Sequence, residues 1–257
     1  MTYGVGVLVE DGLVMMADTR TNAGVDNISS YRKLRVIETG PGRVMVIASA
    51  GSLSVTQGAM TRLRDALLLG EEAAETLDTA PTMFRAATLV GQALAASKEA
   101  VDSTVAATGG DAKVATGASL LFGGCIGGRK PRLFLVYGSG NFIECQADTP
   151  FLQIGEHKYG KPILDRALNY RTPLAEAVKT ALISFNSTMR SNLAVGLPID
   201  LVTIRTGTSA PELVHRIDAE DEYYRELDQR WSNALRLAQA GIPLPPYGAR
   251  DDQAVMI

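Results

Sequence analysis

Two apolar runs near the start of the chain, residues 3–9 and 13–17, constrain the fold more than any other feature. They flank Glu10-Asp11-Gly12, a turn in which the glycine can take the positive φ a tight hairpin asks for. A strand with one wet face alternates apolar and polar residues, whereas these runs are apolar at nearly every position. The sheet they form is therefore expected to be covered on both faces, with residue 2 at the very start of a buried strand.

The remaining pattern comes in blocks. A polar stretch, 19–30, precedes a second strand pair, 34–38 and 44–49, around Thr39-Gly40-Pro41-Gly42. Two helical patterns follow, 52–69 closed by Gly70 and 82–101 opened just after Pro81. Residues 102–116 turn small and polar and read equally as a loop or a frayed helix end. Strands return at 119–122, 133–137, 142–145 and 151–154, with glycine-rich turns expected at 123–128 and 138–140. A helix over 163–170 comes next, then another with Thr172 as N-cap, Pro173 at its first position and Glu176 in its first turn. Strands 199–205 and 212–216 complete the sheets. A last helix, 219–240, places Tyr223, Leu227, Trp231, Leu235 and Ala238 on one stripe opposite a charged face, and Gly241 with Pro243 ends it.

Strands grouped with strands and helices with helices argue against a doubly wound parallel sheet. They predict an α+β fold, a four-layer αββα sandwich of two antiparallel sheets between helix pairs. No repeat or long linker divides the chain, so residues 1–257 are expected to form one domain with a C-terminal helical extension over about 219–257.

Composition excludes several classes of function. A net charge of -3 without any Lys/Arg run gives no nucleic-acid footprint. No window approaches the roughly 18 to 20 apolar residues of a membrane span, and the start lacks a basic leader, so the expected compartment is the cytoplasm. Cys125 and Cys145 lie in or beside strand patterns and read as two reduced thiols. Only His157 and His215 occur, each read as structural or surface; no metal motif is present, and no metal or cofactor is expected. Residues 155–162 imitate a phosphate-binding loop, but Pro162 stands where a Mg²⁺-holding hydroxyl belongs, which leaves a strand-to-helix turn.

The candidate chemistry begins at residue 2. Met1 precedes a small residue, the usual circumstance for its removal, and an exposed Thr2 would carry a nucleophilic hydroxyl and a basic α-amine on one residue. An α-amine titrates at roughly 7.7 to 8.0, and a neighbouring cation lowers that further, favouring the neutral base. Such a site needs a lysine, an acid to hold it, and a backbone N–H aimed at the developing oxyanion.

Three stretches carry a family resemblance: Ala17-Asp18-Thr19-Arg20, Arg32-Lys33-Leu34, and Val46-Ile47-Ala48-Ser49-Ala50-Gly51. In that order behind Thr2 they resemble proteasome β-type subunits, which are N-terminal nucleophile hydrolases, to about Arg205. Ile154-Gly155-Glu156-His157-Lys158-Tyr159-Gly160-Lys161-Pro162 and Ser191-Asn192-Leu193 look most like the bacterial Anbu branch. The resemblance implies Thr2 as nucleophile, Asp18 as the acid orienting the lysine, and Lys33 as the cation beside the α-amine. It assigns the oxyanion to the N–H near Ser49, between Ala48 and Ala50. Where the family carries a supporting serine, and then an Asp and a Ser, this chain has Glu156 and then Ser191, Asn192 and Ala194 as its supporting network. The implied function is a threonine peptidase or amidase acting on a peptide or amide and self-assembling into a ring-like or stacked homo-oligomer. A non-catalytic subunit of the same fold and an amidohydrolase of small amides remain alternatives. Helix 219–240 is read equally as a subunit contact and as a cap on its own sheet.

Overall fold

The computed structural model describes residues 1–22, 28–37, 39–69, 75–107 and 116–247. The expectations for Glu38, Gly70, most of the 102–116 segment and the end of the C-terminal extension lie outside these described residues.

The opening hairpin pairs β1 (Tyr3–Val9) with β2 (Gly12–Asp18). A polar ribbon of β3 (Arg20–Asn22) and β4 (Ile28–Ser30) leads to β5 (Leu34–Ile37) and β6 (Arg43–Gly51). Helices α1 (Leu53–Leu69) and α2 (Met83–Ala107) follow, then β7 (Ala118–Ile126), β8 (Arg132–Tyr137), β9 (Phe142–Glu144) and β10 (Phe151–Gly155). Next come α3 (Lys161–Ala167), α4 (Leu174–Ser191), β11 (Ile199–Arg205), β12 (Leu213–Ile217) and α5 (Glu222–Ala240).

The strands form two five-stranded antiparallel sheets, ordered β10-β1-β2-β11-β12 and β5-β6-β7-β8-β9. Strand periodicity distributes the apolar residues among three layers of core. On β2, Val14 and Met16 face one helix pair with Phe185 and Leu164, while Leu13, Met15 and Ala17 face the other sheet. On β6, Val44, Val46 and Ala48 meet that inter-sheet layer, and Met45 and Ile47 point out to α1 and α2. A sheet with helices outside and a sheet inside has no wet face, which is why its strands read as continuous apolar runs. Each such buried Met, Val or Ile contributes about 1.5 to 3 kcal/mol through burial. The architecture is the expected four-layer αββα sandwich.

Several local expectations are corrected. Gly123 and Gly124 lie within β7 rather than in a turn. A Cβ on Gly123 would stand 2.7 Å from Leu13 and 2.9 Å from Met15, so the glycine makes room for the opposing sheet. The turn itself uses Gly127 and Gly128, both at positive φ. Thr172 does not cap α4; its hydroxyl accepts from the Asn169 N–H, and Pro173 occupies the N-cap. The last helix starts at Glu222, where the Asp221 carboxylate accepts from the Tyr224 N–H. Cys125 and Cys145 are both free and buried. Among the described residues, no helix is long and apolar enough to cross a membrane.

Helix α5 divides the two readings given for it. Tyr224 and Leu227 are buried in the core beneath α4, whereas Tyr223, Leu235 and Leu237 are exposed. Its first half caps the domain and its second half carries apolar residues outward.

Candidate active site

The site is assembled at one end of the two sheets. Thr2 precedes β1 and is buried, and its carbonyl accepts the Glu156 N–H at 2.6 Å, tying it to the end of β10. Gly155 there sits at φ +77°, and a Cβ would lie 2.1 Å from the Thr2 carbonyl oxygen. Among the described residues the Thr2 hydroxyl has no hydrogen-bond partner.

Asp18 closes β2 directly beside this start. Its Oδ1 accepts from the Tyr3 N–H at 3.0 Å and from Lys33 Nζ at 2.9 Å, and its Oδ2 from the Arg20 N–H at 3.2 Å. The turn that follows is fixed by Thr19, whose N–H and hydroxyl both donate to the Pro198 carbonyl. Lys33, just ahead of β5, spends its three donors on Asp18 Oδ1, the Arg20 carbonyl and, at 3.2 Å, the Met1 carbonyl. Both charged groups are buried almost completely. Burial pushes the Asp18 carboxyl up and the Lys33 ammonium down, against their mutual attraction. The fixed backbone partners on each side keep the pair in register.

Ser49 stands on β6 across from Lys33, but its N–H donates to the Lys33 carbonyl at 3.0 Å. The donor expected to meet an oxyanion is thus committed to a backbone bond between the neighbouring strands. The Ser49 side chain instead lines a cavity of about 270 Å³ beside the N-terminus, together with Met1, Thr2, Thr21, Lys33, Ala50, Gly51, Leu53 and Thr56.

Glu156 and Asn192 are brought together on another side of the N-terminus. Glu156 Oε1 accepts the N–H groups of His157 and Lys158, and Oε2 accepts from Asn192 Nδ2 at 2.9 Å. The same amide nitrogen lies 3.4 Å from the Met1 sulfur. Burial pushes the Glu156 carboxyl up, but these three donors and the charge of Lys158 outweigh it and hold it below the usual carboxylate range. Ser191 is exposed at the end of α4 and takes no part in this bonding among the described residues. His157 is at the surface, its ring bonded to the Gly155 carbonyl, and His215 contacts Asp221.

Sequence reasoning missed Thr21 and Thr56 as wall residues. Thr21 is on β3, inside the polar stretch, where no periodicity marks a residue that faces inward. Its Oγ1 is buried without a partner among the described residues. An unmade buried hydrogen bond of this kind costs about 1 to 3 kcal/mol.

The proteasome subunit family model matches residues 2–204. The chain is similar to Anbu from Hyphomicrobium sp. strain MC1, at 47% identity, TM-score 0.83, covering 95% of this chain and 99% of that one. It is also similar to Anbu, the ancestral beta-subunit, from Yersinia bercovieri, at 40% identity and TM-score 0.85, covering 95% and 99%. The helical assembly of the Anbu complex from Pseudomonas aeruginosa shares 37% identity at TM-score 0.84, covering 96% and 100%. No match is found among curated proteins.

Proposed function

Since the chain belongs to the proteasome subunit family, in its Anbu branch, we propose that it is a threonine peptidase or amidase whose nucleophile is Thr2 after loss of Met1. One observation carries this reading: Lys33 Nζ bridges Asp18 and the carbonyl of Met1, the oxygen of the peptide bond that precedes Thr2.

Hydrolysis of the Met1–Thr2 bond takes that oxygen away and leaves a new α-amine next to Lys33. The ammonium, held by Asp18, disfavours a second positive charge beside it and keeps the amine a neutral base. The Thr2 hydroxyl then attacks the substrate carbonyl carbon while its proton passes to the α-amine. The resulting oxyanion needs a backbone N–H from the 49–51 end of β6, the Ser49 one being free only if it turns from the Lys33 carbonyl. Collapse expels the amine leaving group, which takes the proton back. Water, deprotonated by the same α-amine, cleaves the ester and restores Thr2. A chain that retains Met1 has no free amine here and is silent.

Confinement of the site by self-association, in the cytoplasm, belongs to the same reading. The Pseudomonas relative forms a helical assembly, and the exposed apolar residues of α5 offer a surface for one here.

The test is intact mass of the purified protein before and after a threonine-directed epoxyketone. The expected result is loss of the Met1 mass and a single adduct, abolished by Thr2→Ala. Retained Met1 with no adduct, or hydrolysis by Thr2→Ala at the wild-type rate, would sink the proposal.

A further inference from the structure

The stretch that follows α5 and a groove on α5 itself are complementary in shape and charge. We infer that the proline-rich arm of residues 241–247 in one copy of the chain docks in the aromatic groove between α4 and α5 of a second copy. The inference rests on the self-association proposed above and is independent of Thr2.

The arm is stiff and has nothing to lie on. In Ile242-Pro243-Leu244-Pro245-Pro246-Tyr247 each proline fixes its own φ and pushes the residue before it out of the helical region. A segment held this way is already extended, so little chain entropy is left to lose when it binds. Ile242, Leu244 and Tyr247 are 70%, 91% and 88% exposed, and the arm carries no charge.

The groove is the matching surface. Tyr223, Leu227, Trp231 and Ala234 recur at helical spacing along α5, and with Ile183 of α4 they line a space of about 470 Å³. Its charged rim is compensated from within, since Arg230 binds Glu226 and Lys179 binds Glu176. A groove with no charge left to satisfy favours an uncharged segment over an acidic or basic one, which would lose its hydration there. Grooves lined by aromatic rings are also the usual receptors of extended proline segments.

The occupant comes from another copy. Gly241 ends α5, so the arm leaves the helix beyond the groove. Its high exposure shows that it does not fold back onto its own Tyr223 and Trp231. Each copy therefore offers one exposed arm and one open groove, and pairing two copies satisfies both.

The experiment follows sedimentation velocity and tryptophan emission of the full chain over a concentration series. Trp231 is the only tryptophan in the sequence and lines the groove, so its emission reports on occupancy. Wild type is expected to associate with a blue shift of that emission. The arm variant is Leu244→Asp with Tyr247→Asp, and the groove variant is Ala234→Glu; all three positions are exposed, which leaves folding untouched. Each variant should raise the midpoint concentration of association at least about 10-fold. Mixed in equal amounts, the two should associate more tightly than either alone, because one supplies the arm and the other the groove. A synthetic peptide of residues 241–247 should shift the emission of the arm variant and leave that of Ala234→Glu unchanged. Midpoints unmoved by both variants overturn the inference while leaving self-association to another face. A mixture no tighter than its parts overturns it as well, since the arm then serves its own chain. A peptide that shifts neither variant, or both equally, shows that the groove receives something else. A wild type that stays monomeric throughout overturns self-association itself, and this contact with it.

Discussion

At the scale of single residues, the site depends on two charges that water hardly touches. Removing one partner of a buried ion pair strands the other, a loss of about 3 to 5 kcal/mol, whereas removing both charges is often close to neutral. Lys33→Met should therefore lower stability by that amount in urea denaturation. Adding Asp18→Asn, which removes the stranded charge and keeps an acceptor for one of the Tyr3 and Arg20 N–H groups, which bind different carboxylate oxygens, should recover part of it without recovering activity. A double variant no more stable than Lys33→Met would mean that the pair does not hold this corner. Glu156 gives a prediction in pH. Its folded pKa is depressed, so its contribution is complete above the unfolded value of about 4.3 and is lost as pH falls through the folded one. Asn192→Asp replaces the donor with a second carboxylate. One of the two then keeps a proton that the unfolded chain releases, and stability falls as pH rises through the raised value. The variant should melt closer to wild type at pH 5 than at pH 8; an equal deficit at both would refute the pairing.

At the scale of elements, the site is positioned by how β10 ends. Gly155 adopts φ +77° with the Thr2 carbonyl where a Cβ would go. Gly155→Ala should cost more than the roughly 1 to 3 kcal/mol of backbone strain and should reduce epoxyketone labelling of Thr2. Gly42→Ala is the control, since Gly42 shares the positive φ but has nothing within 4 Å of its Cβ position. Equal stability loss and equal labelling in the two variants would show strain alone at work. The same distinction explains what could be read beforehand. The hairpin of β1 and β2 was legible because burial on two faces leaves a continuous apolar run. The β3–β4 ribbon was not, because a short polar strand pair that joins neither large sheet has no hydrophobic period. Gly123 reads as a turn in one dimension and becomes a clearance for Leu13 and Met15 only once two sheets are stacked. Asp18 and Lys33 were recognisable by order behind Thr2, whereas the Glu156–Asn192 contact joins residues 36 apart in sequence. Thr21 escaped because an unpaired hydroxyl is a property of its surroundings.

At the scale of the whole molecule, the question is what the outer end of α5 is for. Tyr224 and Leu227 already secure the helix to the core, so the domain does not need Leu235 or Leu237 for its own stability. Those two are 51% and 74% exposed, and Ile242 and Leu244 beyond the helix are 70% and 91% exposed. Contiguous exposed apolar surface marks a contact more often than single exposed residues do, and these four fall within ten positions of the chain. Substituting exposed positions usually changes stability by less than about 0.5 kcal/mol, which allows association to be varied separately from folding. Leu235→Glu combined with Leu237→Glu should leave the melting temperature within the range such a change allows while shifting sedimentation velocity towards smaller species at equal concentration. If sedimentation is unchanged, α5 is only a cap and any assembly uses another face. If the shift occurs, its effect on turnover tells what confinement does. A site completed within one chain, as the Thr2, Asp18 and Lys33 geometry implies, should go on cleaving short peptide amides after dissociation and should lose its protection from folded substrates.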